Sequence, residues 1–356
     1  MSRVAGTLAL GSGMTAAAAA FGSPSLYVPG VALMLLAACA AAWVLAAAAG
    51  ASLERRIGPP TVQEEERWPI EVTGGTGTVP APGGELLEPL LRGSLPMLGH
   101  ASRRMRVAVT FERRGRRRLD PARLVIRDPF GLLERELESS AGDEVLVLPR
   151  VEPVVANGGG SGLASETAAA ARPAEVAAEV EMESLRPYRE GAPASRIHWP
   201  TVARVGVLME RRLLADSDSQ PLVVMDAANP ASEAALDMAV RAAASLCVHL
   251  ARGGGCSLLL PGDRRAADLG PDLGGWPSLH ARLAVVEPVA AAPAARLQAR
   301  RGAVFWVTAR EGAPRALERV HAERYLVSPG VSRGTAAFTV AGCAGMPLGR
   351  GVRRAA

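Results

Sequence analysis

The chain is 356 residues long, with 40 basic residues against 35 acidic ones, and every basic residue is an arginine. Without lysine there is no Walker A loop to reach a nucleotide's β- and γ-phosphates and no amine for Schiff-base or pyridoxal phosphate chemistry. A net charge of +5 over this length is too small to imply nucleic acid, and a 49% hydrophobic composition supplies cores for two soluble domains.

Cys39, Cys247, Cys256 and Cys343 form no CxxC pair, and His100, His198, His249, His280 and His321 are scattered singly. That spacing speaks against a zinc site and for reduced thiols in a cytosolic setting. No cofactor is expected.

Residues 31–49 are uncharged and at about 1.5 Å per residue nearly match a hydrocarbon core about 30 Å thick. They read as a transmembrane helix. Residues 4–21 are also uncharged but carry several Gly, Ser and Thr, so they make a weaker span whose small residues allow close approach to a neighbour. Residues 22–30 read as a turn in which Pro24 and Pro29 break both helices. Arg3 lies before the hairpin and Arg55 and Arg56 after it, so the positive-inside rule predicts a two-pass cell-membrane protein with its soluble domains in the cytoplasm. A competing reading of the first segment is a cleaved signal peptide.

Residues 54–155 read as a β-rich, sandwich-like domain. Met105, Val107, Val109 and Phe111 alternate with Arg104 and Arg106 along a strand, residues 112–118 read as a turn centred on Gly115, and 124–127 return. Eight arginines and two acids lie between Arg103 and Asp120. One reading is a solvated hairpin edge blunted by charge. Another makes Arg113, Arg114, Arg116, Arg117 and Arg118 lipid-facing, drawn to anionic headgroups. Nucleic acid ranks behind both, because aromatic platforms are missing.

Residues 156–180 are of low complexity, and their GGGSG lacks the lysine of a phosphate loop. From Pro221 strands and helices alternate: 222–225, a helix with Asn229-Pro230 as its start and Leu236, Val240, Ala243, Cys247 and Leu250 on one face, then 257–260, 276–286, 303–308, 315–321 and 325–327. Residues 338–340 would add an edge strand to this mostly parallel, two-faced sheet. Residues 181–345 therefore make the α/β domain with its leading segment, and 346–356 a basic tail. Asp216-Ser217-Asp218-Ser219 reads as a polar loop, and the Ser195/His198 pair lacks a third group to orient it as a nucleophile and base.

The most distinctive stretch is LRPYREGAPASRIHWPTVAR, residues 185–204. With Arg127-Asp128-Pro129-Phe130-Gly131-Leu132 upstream, it resembles the bacterial family called domain of unknown function 58, whose members carry LRxYxxGDxxRxIxWxxxAR after a membrane hairpin and a β-rich insert. Leu185, Arg186, Tyr188, Gly191, Arg196, Ile197, Trp199, Ala203 and Arg204 match. The resemblance implies an α/β von Willebrand A-like (Rossmann-like) domain and partnership with a MoxR-type AAA+ ATPase. Two positions depart from the pattern. Ala192 replaces the motif's Asp, and the metal-binding Asp-x-Ser-x-Ser becomes Asp226, Ala228 and Pro230, which leaves Asp226 as a remnant without two hydroxyl ligands.

Two roles are open for the motif segment. In one it is a strap, with Tyr188, Ile197 and Trp199 packed on a sheet edge and arginines paired to Glu183 and Glu190. In the other Arg186, Tyr188, Arg189, Arg196, Trp199 and Arg204 form a partner-docking face, because Arg, Trp and Tyr most often anchor interfaces. The reading is a membrane-anchored, non-enzymatic interaction protein. The alternatives are a metal-dependent hydrolase and a binder of anionic lipid or nucleic acid.

Overall fold

A computed structural model of the protein describes residues 2–91, 93–99, 102–140, 142–156, 182–188, 197–213, 220–293, 302–310, 312, 314–318, 320, 322–330 and 336–348. The chain divides into two compact units: Met1–Glu112 with Arg116–Leu146, and Arg113–Gly115 with Val147–Ala356. The border falls ahead of the expected 155/156, and the arginine-rich segment contributes to both units.

The first unit opens on α1 (Ser2–Phe21) and α2 (Pro24–Ala49), both long and apolar enough to cross a membrane. The expected turn at 22–30 is shorter than its prolines imply. Pro24 occupies the first helical turn, where the missing N–H has no intrahelical role, and Pro29 lies inside α2, where it forgoes one backbone hydrogen bond without ending the helix. The two helices meet backbone to backbone at Gly11 and Gly30. A methyl group on Gly11 would lie 2.8 Å from the Gly30 carbonyl oxygen, and one on Gly30 would lie 2.8 Å from Thr15 Cγ2.

Three small sheets follow. β1 (Ser52–Ile57), β3 (Trp68–Gly75) and β6 (Arg103–Val109) form one antiparallel sheet; β2 (Thr61–Gln63), β10 (Glu144–Leu148) and β7 (Gly115–Arg118) form a second. β5 (Ser94–Pro96), β4 (Gly84–Leu87), β8 (Arg123–Arg127) and β9 (Glu134–Glu138) form the third. Trp68, Ile70 and Val72 point inward in period two, whereas Glu71 on the outer face pairs with both Arg104 and Arg106. The segment around Gly115 is not the expected hairpin. Gly115 opens β7, which pairs with β10, and β8 pairs with β4 and β9. An all-polar Arg116-Arg117-Arg118 run has no apolar alternation to fix its register against β6.

Beneath the sheets Arg55 donates to Glu88 Oε1 at 2.7 Å and to the Asp120 carbonyl at 2.7 Å, and neither the Arg55 nor the Glu88 side chain is exposed. Arg55 Nε and Glu88 Oε2 are buried without a hydrogen-bond partner. Burial pushes the Glu88 carboxyl above its ordinary value, against the pull of the Arg55 guanidinium.

The second unit is built on an eight-stranded sheet in the order β11 (Val155–Ala156), β19 (Phe338–Val340), β20 (Cys343–Pro347), β18 (Arg324–Pro329), β17 (Val304–Thr308), β14 (Leu222–Asp226), β15 (Cys256–Leu259), β16 (Ala267–Leu269). Its centre, β15-β14-β17-β18, is parallel. Antiparallel strands close it on both sides: β16 beyond β15, and β20, β19 and β11 beyond β18. β11, β16 and β20 are additions to the expected set.

Along the central strands alternate side chains face opposite cores. Val223, Met225, Phe305, Val307, Tyr325 and Val327 pack under α4 (Glu233–Arg252) and α5 (Trp276–Ala284), which contribute Leu236, Val240, Ala243, Cys247, Leu250, Leu279 and Leu283. Leu222, Val224, Val304, Trp306 and Leu326 face Leu317 of α6 (Arg315–Glu318) and Val320 on the other side. α4 is long and apolar enough to span a membrane, but it is the buried core helix of this sheet. Its cap differs from the expected Asn229: Ser232 is the N-cap and accepts from Ala235 N at 3.1 Å, while Asn229 adopts φ +45° and turns the chain. Residues 157–178, Asp216-Ser217-Asp218-Ser219 and the tail beyond 348 lie outside the described residues.

Candidate functional site

In an open sheet of parallel strands, ligand crevices form beyond the carboxyl ends at the point where successive connections leave in opposite directions. Here β14 leads through α4 to β15 on one side, and the chain returns to β17 on the other. Asp226 ends β14 and stands opposite Thr308 at the end of β17. Both are fully buried.

The Asp226 carboxylate is met by N–H donors. Oδ1 accepts from Ala228 N at 3.0 Å, Oδ2 accepts from the Trp306 indole N–H at 3.0 Å, and Arg310 Nη2 lies 3.3 Å from Oδ2. The resemblance raises the question of a divalent cation here, and these residues do not fit one. Ala228 and Pro230 have no side-chain oxygen, and a guanidinium already supplies the positive charge beside the carboxylate. Among the described residues no three His, Cys, Asp or Glu side chains come together as a metal cluster. Two thiols in this unit, Cys247 and Cys343, are pushed away from reactivity. Burial, with Glu152 nearby, pushes Cys343 up to about 12, and burial raises Cys247 well above its ordinary value.

The motif segment forms a separate hairpin. β12 (Met182–Pro187) pairs antiparallel with β13 (Met209–Leu213), placing Arg186 opposite Glu210. Tyr188 N donates to the Leu208 carbonyl and His198 N to that of Met209, both at 2.8 Å, so the loop ends are closed by backbone bonds. Between them α3 (Trp199–Val205) begins with Pro200 in its first turn and ends at Gly206, whose φ of +73° caps it.

Ile197 is buried and Tyr188 half-buried, as in a strap, but Trp199 is 60% exposed and not packed on a sheet edge. The geometry explains this. The side chain at 199 opens a short helix with no buried residue, two positions past the one anchored by Ile197. Arg204, Val205, Val207 and Leu208 are exposed beside it in sequence. Arg189, Arg196, Ser195 and Glu190 lie outside the described residues, and Arg186 and Glu183 are placed by their backbone alone.

The arginine-rich segment does not present the expected lipid-facing set. Arg114 is buried: its Nε lies 3.0 Å from Asp237 Oδ1, and its Nη1 donates to the carbonyls of Leu283, Ala284 and Val286 at 2.9–3.1 Å, capping the C-terminus of α5. A guanidinium buried and held by these contacts is unavailable to headgroups. Arg113 is tied to Glu233 at 2.7 Å and Asp237 at 2.9 Å, and Arg116 to Glu144 at 3.4 Å. Arg117 and Arg118 are exposed and have no ion-pair partner among the described residues.

Trp306, Thr308 and Arg310 were not legible as site residues, since only the strand order brings the end of β17 beside Asp226. The available signal was a strand ending in Thr with an Arg two residues on. The chain is thus an apolar helical hairpin followed by mixed α/β, sheet-rich domains. No family model matches this sequence, and no curated protein matches it significantly.

Proposed function

We propose that the protein is a membrane-anchored, non-enzymatic interaction or assembly protein of the domain of unknown function 58 kind, with a degenerate von Willebrand A-like domain, working with a MoxR-type AAA+ ATPase. The observation that carries this reading is Trp199, a large aromatic left exposed in the most distinctive motif of the chain, followed by exposed Arg204, Val205, Val207 and Leu208. Tryptophan and arginine are the side chains that most often dominate binding energy at interfaces. The N–H donors around Asp226 favour binding over metal-assisted hydrolysis.

Capture of the ATPase from native membranes tests it. Trp199→Ala and Arg204→Glu remove exposed side chains, so each is expected to move the melting temperature by no more than about 2–4 °C while abolishing capture. Retained capture in both variants overturns the docking role.

The same reading places both soluble units in the cytoplasm. Ser23→Cys, in the connection between α1 and α2, is expected to react with an impermeant maleimide added outside intact cells, and Arg67→Cys is not. Labelling of Arg67→Cys from outside reverses the topology.

A further inference from the structure

Two exposed apolar side chains in the first unit lie on loops that are tied to the base of the helical hairpin. Phe130 is 63% exposed and Leu98 66% exposed. Phe130 sits in a rigid turn: the buried Asp128 carboxylate accepts from Phe130 N at 2.9 Å and from Leu133 N at 2.6 Å, and Gly131 takes φ +66°. The Gly131 carbonyl in turn accepts from Arg3 Nη1 at 3.3 Å, which holds the turn at the first residues of α1. Leu98 precedes Gly99, whose backbone exchanges two hydrogen bonds of 3.0 Å with Ala81. The neighbouring Pro80 carbonyl accepts from the Trp43 indole N–H at 2.9 Å, within the last two turns of α2. α2 also packs against β8 and β9, the strands that flank the Phe130 turn.

We infer that Phe130 and Leu98 dip into the interfacial layer of the same bilayer that the hairpin spans, so that this edge of the β-rich unit is a lipid-contacting surface. The inference rests on the membrane-spanning reading of α1 and α2. Its occupant is fixed by continuity. The Phe130 turn is hydrogen-bonded directly to the end of α1, and the Leu98 loop is tied to α2 at one remove, through the Ala81–Gly99 backbone pair and the adjacent Pro80 carbonyl. The helix-side partners, Arg3 and Trp43, are the residue types that settle at the headgroup level. An aromatic and a leucine there remove apolar surface from water at no cost in buried polar groups, because Asp128 and the Ala81–Gly99 pair already satisfy the turn backbones. The exposed arginines around Gly115 are not needed for this contact.

The test uses the full chain with Cys39→Ala, reconstituted in nanodiscs of phosphatidylcholine and phosphatidylglycerol. An environment-sensitive nitrobenzoxadiazole probe is placed singly through Phe130→Cys, Leu98→Cys, Leu35→Cys in α2, or Arg67→Cys. Arg67 precedes β3 at the far end of β1, roughly 17 Å along the strand from the hairpin. Lipids carrying a doxyl quencher near the headgroup are expected to quench the probes at 130 and 98 at least about twofold more than the probe at 67, and aqueous iodide to quench them less. The probe at 35 is expected to respond to doxyl near the chain end. If 130 and 98 behave like 67 while 35 responds, the hairpin is inserted and the surface contact is wrong. If 130 and 98 are shielded from both quenchers, protein rather than lipid covers them, and the inference is equally overturned. If 35 does not respond, the hairpin reading itself fails and this inference falls with it.

Discussion

Replacing Trp306 by alanine is expected to destabilise the α/β unit by about 3–5 kcal/mol, a large part of the total for a domain whose whole stability is about 5–15 kcal/mol. The indole is fully buried against Leu222, Val224, Leu259 and Val304, and it donates to Asp226. Truncation both opens a cavity and leaves a buried carboxylate oxygen with one donor fewer. Trp306→Phe separates the two effects: it keeps most of the volume and loses the indole N–H, so about 1–3 kcal/mol is expected. Calorimetry of the detergent-solubilised chain reads both values. A Trp306→Ala transition within a few degrees of the parent would show that the carboxylate and its shell are not part of the cooperative core.

Breaking the Arg55–Glu88 pair should cost the first unit a comparable amount. Both side chains are fully buried, so Arg55→Ala or Glu88→Ala strands a charge and is expected to cost about 3–5 kcal/mol, whereas the double change Arg55→Met with Glu88→Leu should cost less than either. The pair also sets a pH dependence. Burial, the largest influence on Glu88, raises its folded-state pKa above the ordinary 4.5. A raised carboxyl takes up protons more readily when folded, so its contribution is fully present below 4.5 and is lost as pH rises through the raised value. Glu88→Gln should flatten the stability profile across that interval. A parent and variant with parallel profiles would mean that Glu88 does not titrate differently on folding.

What could be read in the sequence depended on local periodicity. The uncharged runs gave α1 and α2, and the 4-3-4-3 spacing of Leu236, Val240, Ala243, Cys247 and Leu250 gave the buried face of α4. Short antiparallel strands were missed because three to five residues carry little period. β20 nevertheless had a signal in Ala341-Gly342, whose positive φ values of 47° and 78° make the two-residue connection from β19. The Asp226 environment was out of reach because Trp306 and Arg310 lie some 80 residues downstream and become neighbours only through strand order. Residue type leaves Trp199 open between a packed strap and an exposed docking face, and only the seven-residue helix without a buried face leaves it exposed. Arg114 reads as solvated or lipid-facing, yet the unsatisfied carbonyls at the end of α5 enclose it.

The short strands that close the large sheet have a consequence for biogenesis. If the two apolar helices anchor the chain as proposed, chains sharing one bilayer meet repeatedly in two dimensions, and an uncovered parallel strand such as β15 or β18 would offer each newcomer a row of open amides and carbonyls on which to grow. Instead, among the described residues, the sheet ends beyond β15 in β16, three residues long. That strand is too short to template a stable ladder with another chain, so crowding in a bilayer should favour encounters through side chains over fusion of sheets at this edge.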